Sequence, residues 1–267
     1  MTEQALIDAL LYLLTGGVAG FAAGLLGIGG GLIIVPALYF IFARQGVPPQ
    51  LLMHSALATS LATIVLTSLS STLAHHKKQA VLWPTVLRLS PGIVAGAWLG
   101  AMLATRLDSA VLKPVFALFE LAVAIHLLRR ALPVQHRLAL KNAAAAAGGL
   151  IIGLVSAIVG IGGGTLTVPF LHWHHISMHR AVATSAACGL PIAVFASAGY
   201  LAAGWQLDGL PFPALGYVNL PAFGFIALAS YLCAPAGARL AHRLPEAWLK
   251  TGFGLFLLLL SAKMLLA

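Results

Sequence analysis

Charged residues are scarce in this sequence, and carboxylates are the scarcest of them. Only 8% of the 267 residues are charged, and Asp and Glu together number 6, whereas about a quarter of the residues in a soluble domain are charged. So few charges cannot cover a surface that faces water. With 60% hydrophobic residues and a mean hydropathy of +0.98, the sequence predicts an all-α integral membrane protein.

Other shortages exclude further classes of protein. The two cysteines lie inside apolar runs, so we expect them to pack rather than to form a disulfide or bind a metal. The net charge of +9 comes from short Lys/Arg clusters between apolar runs, without interleaved aromatic residues, which argues against nucleic acid as a partner. No catalytic triad, paired carboxylate or His-Glu-x-x-His motif is visible, so the sequence predicts neither an enzyme nor a cofactor.

What the sequence does contain is an internal repeat. Three blocks of the first half return in the same order in the second half: 27–36 at 160–169, 54–60 at 179–185 and 100–107 at 237–244. The chain is therefore divided into a first transmembrane repeat (1–132), a cytoplasmic linker (133–141) and a second transmembrane repeat (142–267).

Each repeat holds five apolar segments. They run at 5–26, 32–43, 51–74, 84–105 and 111–130, and then at 142–159, 165–172, 179–203, 215–240 and 246–266. The second segment of each repeat is short, because about twelve helical residues reach only about 18 Å, against roughly 30 Å of hydrocarbon. We expect it to be a half-helix or one arm of a hairpin with the segment before it.

The Lys and Arg residues favour an inverted 5+5 arrangement of the repeats. Suppose that every segment reverses the chain and that the N-terminus lies outside. Four basic residues then fall in outside segments, Arg44, Arg106, Lys113 and Lys263, and ten of the 15 fall in inside loops. Parallel repeats would place either the 129–141 cluster or the 239–250 cluster outside. The positive-inside rule therefore favours inversion.

The glycine blocks are the first candidates for a substrate site. Glycine runs make backbone N–H groups accessible, and the N-terminus of the helix that follows adds unsatisfied donors and partial positive charge. Such a break can bind an anion without a basic side chain, and transporters with inverted repeats place broken helices around their substrate. The alternative is close helix packing through small residues. The candidate ligands are Gly27, Gly29, Gly30, Gly31, Gly160, Gly162, Gly163 and Gly164.

Hydroxyl and carboxyl side chains supply further candidates. Thr59 and Ser60, with Thr184 and Ser185 in the second repeat, are predicted to donate to an oxyanion or to bond back to their own helix. Glu120 alone among the carboxylates sits well inside an apolar segment, which makes it a candidate for proton coupling. The alternative for Glu120 is a pairing with a helix that bears Arg88 or His126.

The histidines favour no metal site. His54 and His179 begin their segments, so we expect them at the membrane interface. His172, His174 and His175 have no neighbouring carboxylate or cysteine to complete a ligand set. The scarcity of carboxylates favours an anion over a cation as the transported species.

The duplicated Gly-x-Gly-Gly-Gly…Val-Pro motif, followed by an Ala-Thr-Ser helix, resembles the sulfite exporter TauE/SafE family of membrane permeases. The resemblance extends from about Thr15 to Lys263. It implies a multi-pass inner-membrane carrier for sulfite, sulfonates or related sulfur-containing or carboxylate anions, and it assigns the site to the glycine blocks and the Thr-Ser pairs. One departure is that Thr165 stands where the first repeat has Leu32, so the two half-sites are chemically unequal.

These observations predict a secondary transporter that moves a small anion across the lipid bilayer by alternating access. Its partners are the anion, the bilayer and, through Glu120, a proton as coupling ion; a homo-oligomer is compatible with the sequence. The alternatives are an anion channel and a metal-ion permease that uses the loop histidines.

Overall fold

The computed structural model describes residues 3–26, 29–129, 142–207, 209–240 and 246–266. Within these ranges ten helices follow one another: α1 (Glu3–Leu26), α2 (Gly31–Arg44), α3 (Pro49–Lys77), α4 (Trp83–Ala104), α5 (Ser109–Leu128), α6 (Asn142–Val159), α7 (Gly164–Trp173), α8 (Met178–Ala203), α9 (Leu220–Leu240) and α10 (Glu246–Leu266). Seven of them are long and apolar enough to cross a membrane. Each helix coincides with a predicted apolar segment, and the predicted all-α membrane fold is confirmed.

One segment begins later than predicted. The sequence predicts a helix from 215, whereas two short strands, β1 (Ala214–Leu215) and β2 (Val218–Asn219), form a hairpin before α9. Gly216 turns the chain between them with φ +55°, and the apolar residues around it resemble the start of a helix by composition alone. The linker predicted at 133–141 lies outside the described residues.

The short helices α2 and α7 fold back along the helices that precede them. At the end of α2, Arg44 forms an ion pair with Asp8 near the start of α1. Near the end of α7, the Phe170 ring packs so closely on Gly148, in the second turn of α6, that a β-carbon there would overlap it. Each short helix is therefore one arm of a hairpin, which is one of the two forms that the sequence predicted.

Stripes of glycine hold four helices in two close pairs. Glycines at every fourth position of α1 face α9, and glycines at every fourth position of α4 face α6. They are Gly16, Gly20 and Gly24 in α1, and Gly92, Gly96 and Gly100 in α4. At Gly24 and at Gly92 a β-carbon would overlap a backbone carbonyl oxygen of the facing helix, so only glycine permits this approach. Each pair joins the first helix of one repeat to the fourth helix of the other, so the two pairs correspond.

The repeat-related helices α3 and α8 run in opposite directions. The start of α3 and the end of α8 meet at Tyr217, whose ring centroid lies 5.3 Å from that of His54 and 6.3 Å from that of Tyr200. Beyond the other end of α3, the Leu82 N–H donates to the Thr184 hydroxyl, near the start of α8, at 3.1 Å. This direction is compatible with an inverted repeat, and the inverted 5+5 arrangement stays a prediction.

The described basic residues segregate to the two ends of the helix bundle. Lys113 and Lys263 lie over the rings of Tyr39 and Phe40, at 5.4 and 4.5 Å from their centroids, at the end of the bundle where α2 finishes. Arg44 and Arg106 lie at the same end. The opposite end carries Lys77, Lys78, Arg129, Arg180 and Arg239. The positive-inside rule predicts that this second end faces the cytoplasm.

Candidate functional site

The two glycine turns meet inside the helix bundle. Gly29 and Gly30, before α2, have φ +77° and +78°, and Gly160 and Gly163, before α7, both have φ +73°. These left-handed conformations favour glycine. A β-carbon on Gly29 would lie 2.9 Å from the α-carbon of Gly162, so the two backbones are in direct contact. The structure thus brings the two predicted glycine blocks together.

The short helices begin at this contact. The first N–H of α2 that bonds within the helix is that of Ile33, to the Gly30 carbonyl at 3.0 Å, and in α7 it is that of Leu166, to the Gly163 carbonyl at 3.0 Å. The N–H groups before them, which include those of the predicted ligands Gly31 and Gly164, have no acceptor in their own helix. Both helices direct the positive end of their dipole to the contact. The remaining glycine candidate, Gly27, lies outside the described residues.

A small cavity lies beside the contact. Its volume of about 10 Å³ is sufficient for about one water molecule. It is lined by Gly29, Gly162, Thr67, Ser68, Ser71, Ala23 and Ala186. The buried Ser71 hydroxyl has no hydrogen-bond partner. Because an oxyanion is larger than a water molecule, binding one here requires the turns or α3 to move.

The sequence prediction missed the three hydroxyl residues of the cavity. These residues do not belong to the repeated pattern, because their counterparts in α8 are Ile192, Ala193 and Ala196. The available signal was the run of five hydroxyls and one leucine at 67–72, which is unusual within an apolar helix.

The predicted threonines hold loops in place. The Thr59 hydroxyl accepts a hydrogen bond from the Asn219 N–H at 3.0 Å, and the Thr184 hydroxyl accepts one from the Leu82 N–H at 3.1 Å. Both threonines are fully buried and lie outside the lining of the cavity. Their bonds join corresponding positions of the two repeats, which indicates a shared structural role.

The predicted serines donate to backbone carbonyls. The Ser60 hydroxyl bonds to the Gly160 carbonyl at 2.9 Å and so fixes the second glycine turn, and the Ser185 hydroxyl bonds to the Val182 carbonyl at 2.8 Å. Thr165 is placed differently, because its buried hydroxyl stands in the first turn of α7 without a hydrogen-bond partner. Of the predicted hydroxyls, that of Thr165 is therefore the one without a hydrogen-bond partner in the described part of the chain.

Comparison with known proteins identifies the family. Residues 12–264 match the family model described as sulfite exporter TauE/SafE. The chain belongs to the TauE/SafE family. The chain is 37% identical over 258 residues to a "Probable membrane transporter protein" of Haemophilus influenzae, across 96% of this chain and 98% of that protein. It is 29% identical over 218 residues to a similarly named protein of Methanocaldococcus jannaschii, across 79% and 78%.

A plant protein extends the comparison. "Sulfite exporter TauE/SafE family protein 3" of Arabidopsis thaliana is 34% identical over 113 residues, which are 42% of this chain and 22% of that protein. No solved structure matches the chain significantly. The resemblance predicted from the repeated motif is confirmed, and this TauE/SafE protein is a multi-pass membrane transporter.

Glu120 of this TauE/SafE transporter is fully buried in α5, which packs against α10. Neither carboxyl oxygen has a hydrogen-bond partner, so among the described residues the predicted pairing with Arg88 or His126 is wrong. A carboxyl group in apolar surroundings without a partner costs free energy. Such a group within a membrane helix is a functional candidate.

Three histidines of the TauE/SafE chain, His54, His172 and His174, bond to backbone carbonyls. The His174 ring nitrogen Nδ1 lies 2.8 Å from the Phe170 carbonyl. His54 does not face the interface as expected, because it is buried beneath Tyr217 with Nε2 3.0 Å from the Leu107 carbonyl. Within the described ranges, no three His, Cys, Asp or Glu side chains lie close enough to hold a metal ion.

Proposed function

We propose that this transporter is a secondary carrier that moves a small oxyanion across the inner membrane by alternating access. The substrate class is sulfite, an organosulfonate or a related sulfur-containing or carboxylate anion. The observation that carries the proposal is the meeting of two helix N-termini at the contact between Gly29 and Gly162. Backbone N–H groups at helix N-termini bind anions without basic side chains.

The chemistry of the cavity supports an anion. Three hydroxyl residues line it, and no carboxylate among the described residues does. A site for a cation would be expected to offer carboxylates or several carbonyl oxygens. The unpartnered Ser71 hydroxyl is a donor that a bound oxyanion would satisfy.

The closed contact between the turns supports a carrier over a channel. In the mechanism that we propose, the repeats at 1–132 and 142–267, joined by the linker at 133–141, are related by inversion. Movement of the α1–α2 and α6–α7 hairpins opens the cavity first to one side of the membrane and then to the other. Glu120 is the proposed site of proton coupling.

Binding is the first test. We expect the melting temperature of the purified protein in detergent to rise with sulfite, thiosulfate, isethionate or acetate, because a ligand that binds the folded state stabilises it. Stabilisation by divalent metals alone, lost when His172, His174 and His175 are replaced, would instead support the metal-ion permease.

Transport is the second test, and Gly162→Ala is the sharpest variant. Gly162 does not have a positive φ, and a β-carbon there would lie 3.0 Å from Cγ2 of Ile64 and 3.2 Å from the α-carbon of Gly29, between the turns. We expect a folded protein that has lost flux of the stabilising anion into proteoliposomes. Gly224→Ala is the matched control, because nothing lies within 4 Å of its β-carbon. Normal flux through Gly162→Ala contradicts the site, and flux without counterflow indicates a channel.

A further inference from the structure

Three hydroxyl groups beside the second glycine turn have no hydrogen-bond partner. Ser156, near the end of α6, and Thr167, in α7, are fully buried, and the hydroxyl oxygen of Thr165 is buried as well. None of the three lines the cavity described above. An unsatisfied buried hydroxyl is destabilising, so three of them around one turn require an explanation.

Several hydroxyls elsewhere in the described helices bond back to their own helix. Thr67, Ser90 and Ser197 each donate to the carbonyl four residues earlier, which is the common arrangement within helices. Ser156 and Thr167 have carbonyls at the same spacing and do not bond to them. Their hydroxyls are therefore directed elsewhere.

Both hydroxyls face the N-cap residue of α7. A β-carbon built on Gly163 would lie 3.4 Å from the Ser156 hydroxyl and 3.5 Å from the Thr167 hydroxyl. The same point lies at the positive end of a ten-residue helix. It would also overlap Cδ1 of Ile192, so the end of one flexible side chain fills the space between the hydroxyls in this conformation.

We propose that Ser156 and Thr167 form a second anion subsite at the N-terminus of α7, which takes the same oxyanion after the Ile192 side chain moves aside. This inference rests on the proposed function and extends it, because the anion then has a second binding position next to the cavity. Two hydroxyl donors and the free N–H groups of a helix N-terminus match the oxygen atoms of a sulfite, sulfonate or carboxylate group. A sodium ion also binds hydroxyl oxygens, but the helix dipole opposes a cation here.

The first repeat has no equivalent subsite. The counterparts of the three hydroxyl residues are Ala23, Leu32 and Ile34. The subsite therefore belongs to the second repeat alone, and substitutions of its hydroxyl residues have no equivalent at α2.

The test is calorimetric titration of the purified full chain in detergent with sulfite, kept under nitrogen, and with isethionate. Thr167→Val removes one hydroxyl at nearly constant shape, and we expect it to raise the Kd by about tenfold. Thr167→Ser, which keeps the hydroxyl, should bind more tightly than Thr167→Val. Ile192→Val removes the methyl group that fills the space, and we expect a lower Kd, a gain that a misfolded protein would not show. Ser90→Ala is the control, because that hydroxyl already bonds to its own helix.

The outcomes separate this inference from the proposed function. If the wild type binds neither anion and Gly162→Ala transports normally, both fail. If the wild type binds and Gly162→Ala does not, while Thr167→Val and Ile192→Val bind like the wild type, the proposed function stands and the second subsite is overturned. The subsite as an anion site is also overturned if sodium binding, rather than anion binding, depends on Thr167.

Discussion

The two glycine turns are alike in their backbones and unlike in the side chains around them. Each places left-handed glycines before a short helix that folds back along its predecessor. Around the second turn stand Ser156, Thr165 and Thr167, where the first turn has Ala23, Leu32 and Ile34. In α3 the relation is reversed, because its cavity hydroxyls have apolar counterparts in α8. The two repeats thus share backbone geometry, and the polar lining is divided between them.

Because the α1–α9 and α4–α6 pairs have similar backbone geometry, we expect the same loss of stability when a methyl group is added between the helices of either pair. Gly20→Ala and Gly153→Ala, which are counterparts in the two repeats, each force a methyl group into a backbone carbonyl of the facing helix, and we expect each to lower the free energy of unfolding by about 3 kcal/mol. Chemical unfolding in detergent measures this, with Gly224→Ala as control. A large loss at one position and none at the other would break the equivalence of the α1–α9 and α4–α6 pairs.

Thr59→Val and Thr184→Val test the same equivalence in the loops. Each leaves a buried or half-buried backbone N–H without its acceptor, that of Asn219 or that of Leu82, and we expect a loss of about 1–3 kcal/mol in each case. Unfolding and the KM for transport are measured together. If KM rises while stability is kept, these threonines contact the anion directly, as the sequence predicts.

Glu120 distinguishes α5 from α10, where the counterpart is Leu257. Glu120→Leu makes the two helices alike at this position and removes a buried carboxyl that has no partner, so we expect a gain of about 1 kcal/mol in stability. Glu120→Gln should abolish the dependence of anion flux on the proton gradient. Flux through Glu120→Gln that still follows the gradient removes this residue from coupling.

Ser71→Ala sharpens the contrast between α3 and α8 with the smallest effect on folding. Its hydroxyl has no partner to lose, so we expect a change in unfolding free energy within about 0.5 kcal/mol. The KM for the anion should rise, because a donor that lines the cavity is gone. Ser70→Ala is the neighbouring control, since that hydroxyl bonds to the Tyr231 carbonyl instead. An unchanged KM in Ser71→Ala argues against the cavity as the binding site.

Helix positions were predictable from the sequence because long apolar runs, broken by Gly and Pro, leave few alternatives in a membrane. The repeat also located both glycine turns, since a left-handed backbone conformation favours glycine and is therefore visible in the sequence. The hairpin at 214–219 was missed because its apolar residues carry no helical or strand periodicity of their own. Ser68 and Ser71 were missed because their counterparts in the second repeat are apolar, so the duplicated motifs do not include them.

The hydrogen bonds of Thr59 and Thr184 were beyond sequence reasoning for a different reason. Each hydroxyl bonds to a backbone group that is distant along the chain, Asn219 in one case and Leu82 in the other. Only the packing of α3 and α8 against the opposite repeat brings these groups within reach. A hydroxyl residue near the middle of a membrane helix is therefore a candidate ligand, and its hydrogen bonds in the folded structure decide its role.

The pairing of α1 with α9 has a consequence for how the protein is made. Gly16 faces Ile226, so α1 meets its main packing partner only after α2 to α8 have been synthesised. Until then its glycine stripe is exposed to lipid or to the insertion machinery, and contacts so distant in sequence form late. Neither repeat holds the partner of its own first helix, so assembly of the bundle awaits translation of the second repeat.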